Sequence, residues 1–165
     1  MKIQALALTL SVVFLSGCAT YDKSVPDGYV GPTATIEDTV TMRDNSLAHI
    51  FDLVDIEGRK LRGSRVATLV ASSGRGMLMQ PVTETNQIPA KELTVTIEGN
   101  VVYAAPILAM LNTTCSIKGT VKFKAVAGRK YKVNGELLPS HCAVWIEDLT
   151  SMSLASDKIV GAGRK

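Results

Sequence analysis

Histidine is nearly absent from this sequence, and each of its scarcities closes off a class of chemistry. There are two histidines, His49 and His141, with no paired spacing. They supply neither a recognisable Ser-His-Asp set nor a histidine-based zinc site. His49, within Leu47-Ala48-His49-Ile50, reads as a sheet side chain. His141, within Pro139-Ser140-His141-Cys142, reads as a loop residue. No Gly-x-Ser-x-Gly elbow occurs. The run Ser72-Ser73-Gly74-Arg75-Gly76 lacks the Gly-Lys-Ser/Thr ending of a phosphate loop, so it is an anion-binding hint at best. Glu147 and Asp148 are adjacent and fall on opposite faces of a strand, a poor arrangement for two carboxylates acting on one bond. No cofactor or metal is implied, and the expected class is non-enzymatic. Aromatic residues make up 5% of the chain, so the core must be aliphatic. A net charge of +3 is too small for a typical nucleic-acid surface.

What the sequence does have begins at its first residues. Lys2 supplies a positive start, and Ile3 to Leu15 carries no charge. That apolar run is shorter than the roughly 20 residues a bilayer span needs and matches a signal-peptide core. It ends in Leu15-Ser16-Gly17-Cys18, an aliphatic residue, two small residues and a cysteine. The segment resembles the bacterial lipoprotein signal, or lipobox. That resemblance implies cleavage after residue 17 and lipidation of Cys18. It also implies, because Ala19 rather than aspartate follows, an outer-membrane lipid anchor facing the periplasm. Loss of residues 1–17 removes only Lys2 among the charged side chains and leaves about +2. Residues 18–32, broken by Pro26, Gly28, Gly31 and Pro32, read as a lipidated tether with a flexible reach of roughly 20 Å. Part of it could instead add to a sheet. Residues 33–165 form one expected domain, long enough to bury a core.

With Cys18 taken by lipid, Cys115 and Cys142 remain. An even pair in an oxidising compartment reads as a disulfide rather than a metal or redox pair. It would close a loop of about 28 residues and stabilise by roughly 3.5 kcal/mol in the chain-entropy picture.

From Thr33 onward the pattern is β-rich. Strands are expected at Thr33–Met42, Leu47–Ile56, Leu61–Ala71 and Met77–Thr83, and in the alternation of Leu93, Val95 and Ile97. Residues 103–111 fit either a short helix led by Pro106 or an interrupted strand, the β context favouring the latter. Cys115, Ile117, Val121 and Phe123 share one face of a period-two strand, with Ser116, Lys118, Thr120, Lys122 and Lys124 on the other. Tyr131, Val133 and Leu137 oppose Lys130, Lys132 and Glu136 in the same way. Gly128 suits the left-handed third position of a three-residue turn, so the two segments are expected to pair as a hairpin with Ala125 opposite Arg129. Cys142, Val144 and Ile146 share a face of the next strand, with Trp145 on the other. Ser151–Ser156 reads as loop, and Lys158–Val160 as a last short strand.

Many short strands separated by turns predict an all-β, antiparallel sandwich, with a small β-barrel as the alternative. The run from Val121 through Lys130-Tyr131-Lys132-Val133 to Ala143-Val144-Trp145-Ile146 resembles small bacterial lipoproteins with immunoglobulin-like or transthyretin-like sandwiches. In the hairpin register, Lys122 faces Lys132 and Lys124 faces Lys130, with Lys118 opposite Glu136. Opposed like charges cost stability. A retained stripe of Lys118, Lys122, Lys124, Lys130 and Lys132 is therefore a candidate surface for an anionic lipid or an envelope protein, its alternative being lysines that protect a sheet edge. The functional expectation is a membrane-anchored, periplasm-facing binding or structural module. The alternative is a carrier or sensor of an apolar ligand in a pocket between sheets, lined by Met77, Met79, Ile107 and Met110.

Overall fold

Alternation along the strands builds two sheets that close on one aliphatic core. The structure is a computed structural model and describes residues 20–111 and 115–162. The strands are β1 (Thr33–Glu37), β2 (Thr39–Asp44), β3 (Leu47–Ile56), β4 (Arg59–Lys60), β5 (Thr85–Pro89), β6 (Glu92–Tyr103), β7 (Ser116–Lys124), β8 (Lys130–Leu138), β9 (His141–Asp148), β10 (Ser153–Leu154) and β11 (Ile159–Ala162). Helix α1 spans Ser64–Ser72 and α2 spans Pro106–Leu111. The first sheet runs β10-β9-β8-β1-β5, with β11 also on β9; the second runs β2-β3-β6-β7, with β4 on the end of β3. All pairings are antiparallel except β1 with β8. This is a two-sheet β-sandwich, and its described strands do not close into a barrel.

The inward faces are those the alternation marks. Leu93, Val95 and Ile97 of β6 and Ile117, Val121 and Phe123 of β7 meet Tyr131, Val133, Val144 and Ile146 of the other sheet. Phe123 and Tyr131 meet edge to face at 5.3 Å. Trp145 points the other way and is nonetheless buried; Lys158 Nζ lies 3.9 Å over its ring, and its indole N–H donates to Glu147.

Four expectations are corrected. β7 and β8 do not form a hairpin. The chain crosses from one sheet to the other through residues 125–129, so β7 pairs with β6 and β8 pairs with β1 and β9. Two alternating strands satisfy their apolar faces equally well side by side or across a core, so periodicity alone does not separate the cases. Gly128 does take the left-handed conformation, φ 73°, but its N–H donates to Thr33 O, away from any hairpin. Residues 64–72 are helix, not strand. Residues 77–83 run without strand pairing. His141 opens β9 rather than lying in a loop, opposite Leu138 and Ala162. The open question at 103–111 resolves as the end of β6 followed by α2, with Pro106 at the helix start, where its missing N–H costs nothing.

The expected tether is largely tied down. Asp22 N–H donates to Lys60 O at 2.7 Å, and Lys60 N–H donates to the Asp22 carboxylate at 2.9 Å. Arg59 also reaches Ser24 O at 3.1 Å.

Candidate functional site

The outer face of the second sheet carries a row of charge that the strand registers create. Asp52 of β3 lies opposite Glu98 of β6, which lies opposite Lys118 of β7. Asp38, at the point where the chain leaves β1 for β2, adds a third carboxylate beside Asp52. All three acids are buried. The first turn of α1 sits on this row. Gly63 occupies the helix cap position and offers no side chain, so the sheet does the capping. Ser64 donates to Asp38 from its N–H (3.0 Å) and its hydroxyl (2.7 Å), and Arg65 N–H donates to Asp52 at 3.0 Å. A carboxylate at a helix N-terminus satisfies orphan donors and complements the helix dipole. A Cβ on Gly63 would stand 2.2 Å from the Asp52 carboxylate, so this close seating needs glycine.

The electrostatics follow from burial. Burial is the main cause that pushes Asp38 up to about 6, against the hydrogen bonds from Leu53 and Ser64. Burial, then the Asp38 and Glu98 charges, push Asp52 up to about 7. Asp52 Oδ1 is buried without a hydrogen-bond partner. Glu98 is held by Arg65 Nε at 3.0 Å and Lys118 Nζ at 3.4 Å. Beside the row lies an open groove of about 420 Å³, lined among others by Tyr21, Lys60, Arg65, Thr96 and Lys118. Its wall carries both signs of charge, Asp55 and Glu98 beside the three cations, and two of those cations are already paired with Glu98. Among the described residues, no group of three or more His, Cys, Asp or Glu is arranged to hold a metal ion.

Sequence reasoning missed this row. Its signal was present: an acid between Phe51 and Leu53 in an otherwise apolar strand has to be either partnered or protonated.

The sequence-predicted sites fall as follows. Cys18 lies outside the described residues. Cys115 and Cys142 form a disulfide, with Cα atoms 6.2 Å apart. The lysine stripe is divided. Lys118, Lys122 and Lys124 stand on the outer face of β7, opposite Glu98, Thr94 and Glu92. Lys130 and Lys132 stand in the other sheet, with Lys132 between Glu37 and Glu147. The feared opposition of like charges therefore does not arise. His49 sits in β3 between Thr41 and Val101. Ser72–Gly76 closes the C-terminal end of α1, where Arg75 donates to Ala71 O, so the segment presents carbonyls rather than an anion cradle. Met77, Met79, Ile107 and Met110 do not line a pocket between sheets. Met79 packs with Ala48, Ile50 and Val102 in a second cluster outside the second sheet, and the other three are exposed.

No family model, curated protein or solved structure matches this chain.

Proposed function

We propose that this protein is a lipid-anchored cell-envelope protein whose sandwich acts as a non-enzymatic binding or structural module, held at the outer membrane and facing the periplasm. The observation that carries this reading is Leu15-Ser16-Gly17-Cys18 at the end of an uncharged run that follows Lys2. Two features support it. The remaining cysteines pair with each other, as an oxidising compartment favours. The buried acids are occupied by helix N–H groups, Ser64 and two cations, which is a structural use of charge. The module belongs to the membrane surface, because only three residues separate Cys18 from Asp22, the first of the described residues tied to the sheet.

The test is the intact mass of the protein taken from membranes, with and without reduction before alkylation. The expected result is a chain beginning at an acylated Cys18 that accepts alkylating agent only after reduction. An unprocessed chain with three alkylatable thiols would remove both the anchor and the address.

A further inference from the structure

We infer that the exposed apolar surface formed by α1, α2 and the loop at 74–79 docks onto the phospholipid surface to which the chain is anchored. This rests on the lipid-anchor reading above and adds an orientation to it.

The first observation is that α1 is inverted. Its buried positions are Ser64, Ala67, Thr68 and Ser72, while Leu69 and Val70 are 41% and 62% exposed. A helix on a sheet ordinarily buries its apolar stripe. Here the apolar side faces away from the protein, and Met77, Leu78, Ile107 and Met110 extend it, Met110 being 82% exposed. The surface is continuous. The turn between β2 and β3 holds both parts, Asn45 O accepting from Met79 N–H and Ser46 O from Ala104 N–H. A shallow groove of about 390 Å³ between the end of α1 and residues 104–106 joins them.

The second observation is charge. Residues 69–83 and 104–111 contain Arg75 and no acid; on the same side of the sheet Lys118 and Lys124 stand opposite Glu98 and Glu92, and Lys122 stands opposite Thr94. Apolar segments that carry a cation and no acid of their own match the headgroup–acyl boundary of an anionic bilayer. The exposed Met152 and Leu154, by contrast, stand in a segment with Asp148 and Asp157.

The third observation is the length of chain before the domain. The four residue-to-residue steps from Cys18 to Asp22 span at most about 14 Å. Asp22 is fixed to Lys60, and Tyr21 lines the groove at the start of α1 with Gly63, Arg65 and Val66. Tyr21 and Asp22 therefore lie on the same face, at one end of the helix whose other end carries the apolar surface. An anchor that short keeps this face at the bilayer.

The test uses the full, acylated mature chain on vesicles of phosphatidylethanolamine with a minority of phosphatidylglycerol, some acyl chains being brominated. Tryptophan is introduced singly at three exposed positions: Leu78→Trp, Met110→Trp and Val160→Trp. Val160 lies on the other sheet, pairing with Ala143. The native Trp145 signal of the unsubstituted protein is subtracted as baseline. Brominated chains are expected to reduce the added emission at positions 78 and 110 to less than half and to leave position 160 unchanged. Protein that floats with the vesicles but shows no quenching at 78 and 110, or equal quenching at all three, overturns the docking surface and leaves the anchor standing. A mature chain that carries no acyl group and does not float overturns both.

Discussion

Asp52 sits in the middle of a core strand with one oxygen bound to the Arg65 N–H and the other, Oδ1, buried without a partner. Its protonation is thus a matter of stability. An unfolded aspartate titrates near pH 4, whereas Asp38 and Asp52 are pushed up to about 6 and about 7. Between these limits the folded protein holds more protons than the unfolded chain, so these two groups make stability fall as pH rises from about 4 to about 7, and contribute no further change above that. This is the reverse of the usual paired carboxylate. Asp52→Asn keeps an acceptor for Arg65 and replaces a charge that is costly to bury with a neutral donor. It is expected to raise stability at pH 8 by about 1–2 kcal/mol, with the gain shrinking toward about pH 5. Denaturant midpoints measured across that range check it. A variant less stable than the native protein at pH 8 would mean that the charge, not the proton, belongs in the folded state.

The inverted helix gains its sense at the scale of elements. Ser72, Thr68 and Ser64 recur at every fourth residue on its buried side. Their oxygens accept from Gln80 N–H (2.9 Å), Val82 N–H (3.0 Å) and Glu84 N–H (2.8 Å), at every second residue of the following segment. Four residues of helix rise about 6 Å, and two residues of extended chain span about 6.6 Å. The two repeats match, and a column of hydroxyls does the work of a neighbouring strand. Thr68→Val keeps the shape and removes the middle acceptor. The expected loss is about 1–3 kcal/mol, accompanied by faster hydrogen exchange at the Val82 amide. Unchanged exchange there would show that the segment is held by other contacts. This also explains what was and was not legible in the sequence. β6, β7, β8 and β9 could be read because one apolar face imposes a period of two. Residues 77–83 read as a strand in the sequence, but they form none, and the partners of Gln80 and Val82 are side chains of a helix, which no local pattern announces. The helix itself was hidden because its buried side is polar and its apolar side exposed. The acid row escaped for a related reason: Asp38, Asp52 and Glu98 are far apart in sequence and meet only through strand register.

At the scale of the molecule, the chain itself laces the two sheets together. It crosses from one to the other between β1 and β2, between β4 and β5 through α1, between β5 and β6, and between β7 and β8. The Cys115–Cys142 bridge adds a link that the backbone does not make, from the residue leading into the edge strand β7 to β9 in the opposite sheet. Both cysteines are buried in the shared core. The bridge therefore restrains the unfolded chain over a separation of 27 residues and leaves the packed sheets much as they would be without it. The chain-entropy relation gives roughly 3.5 kcal/mol for such a loop. Replacing both cysteines by alanine should lower the denaturant midpoint by about that amount while leaving the far-ultraviolet dichroism of the sandwich intact. Burial adds a kinetic expectation. A reductant reaches the bridge only when the sheets part, so reduction of the native protein should be slow and should accelerate across the unfolding transition. Fast reduction under fully native conditions would mean that the link between the sheets opens locally. In that case β7, an edge strand tied to the opposite sheet by this bridge and the 125–129 crossing, would be the part that parts first.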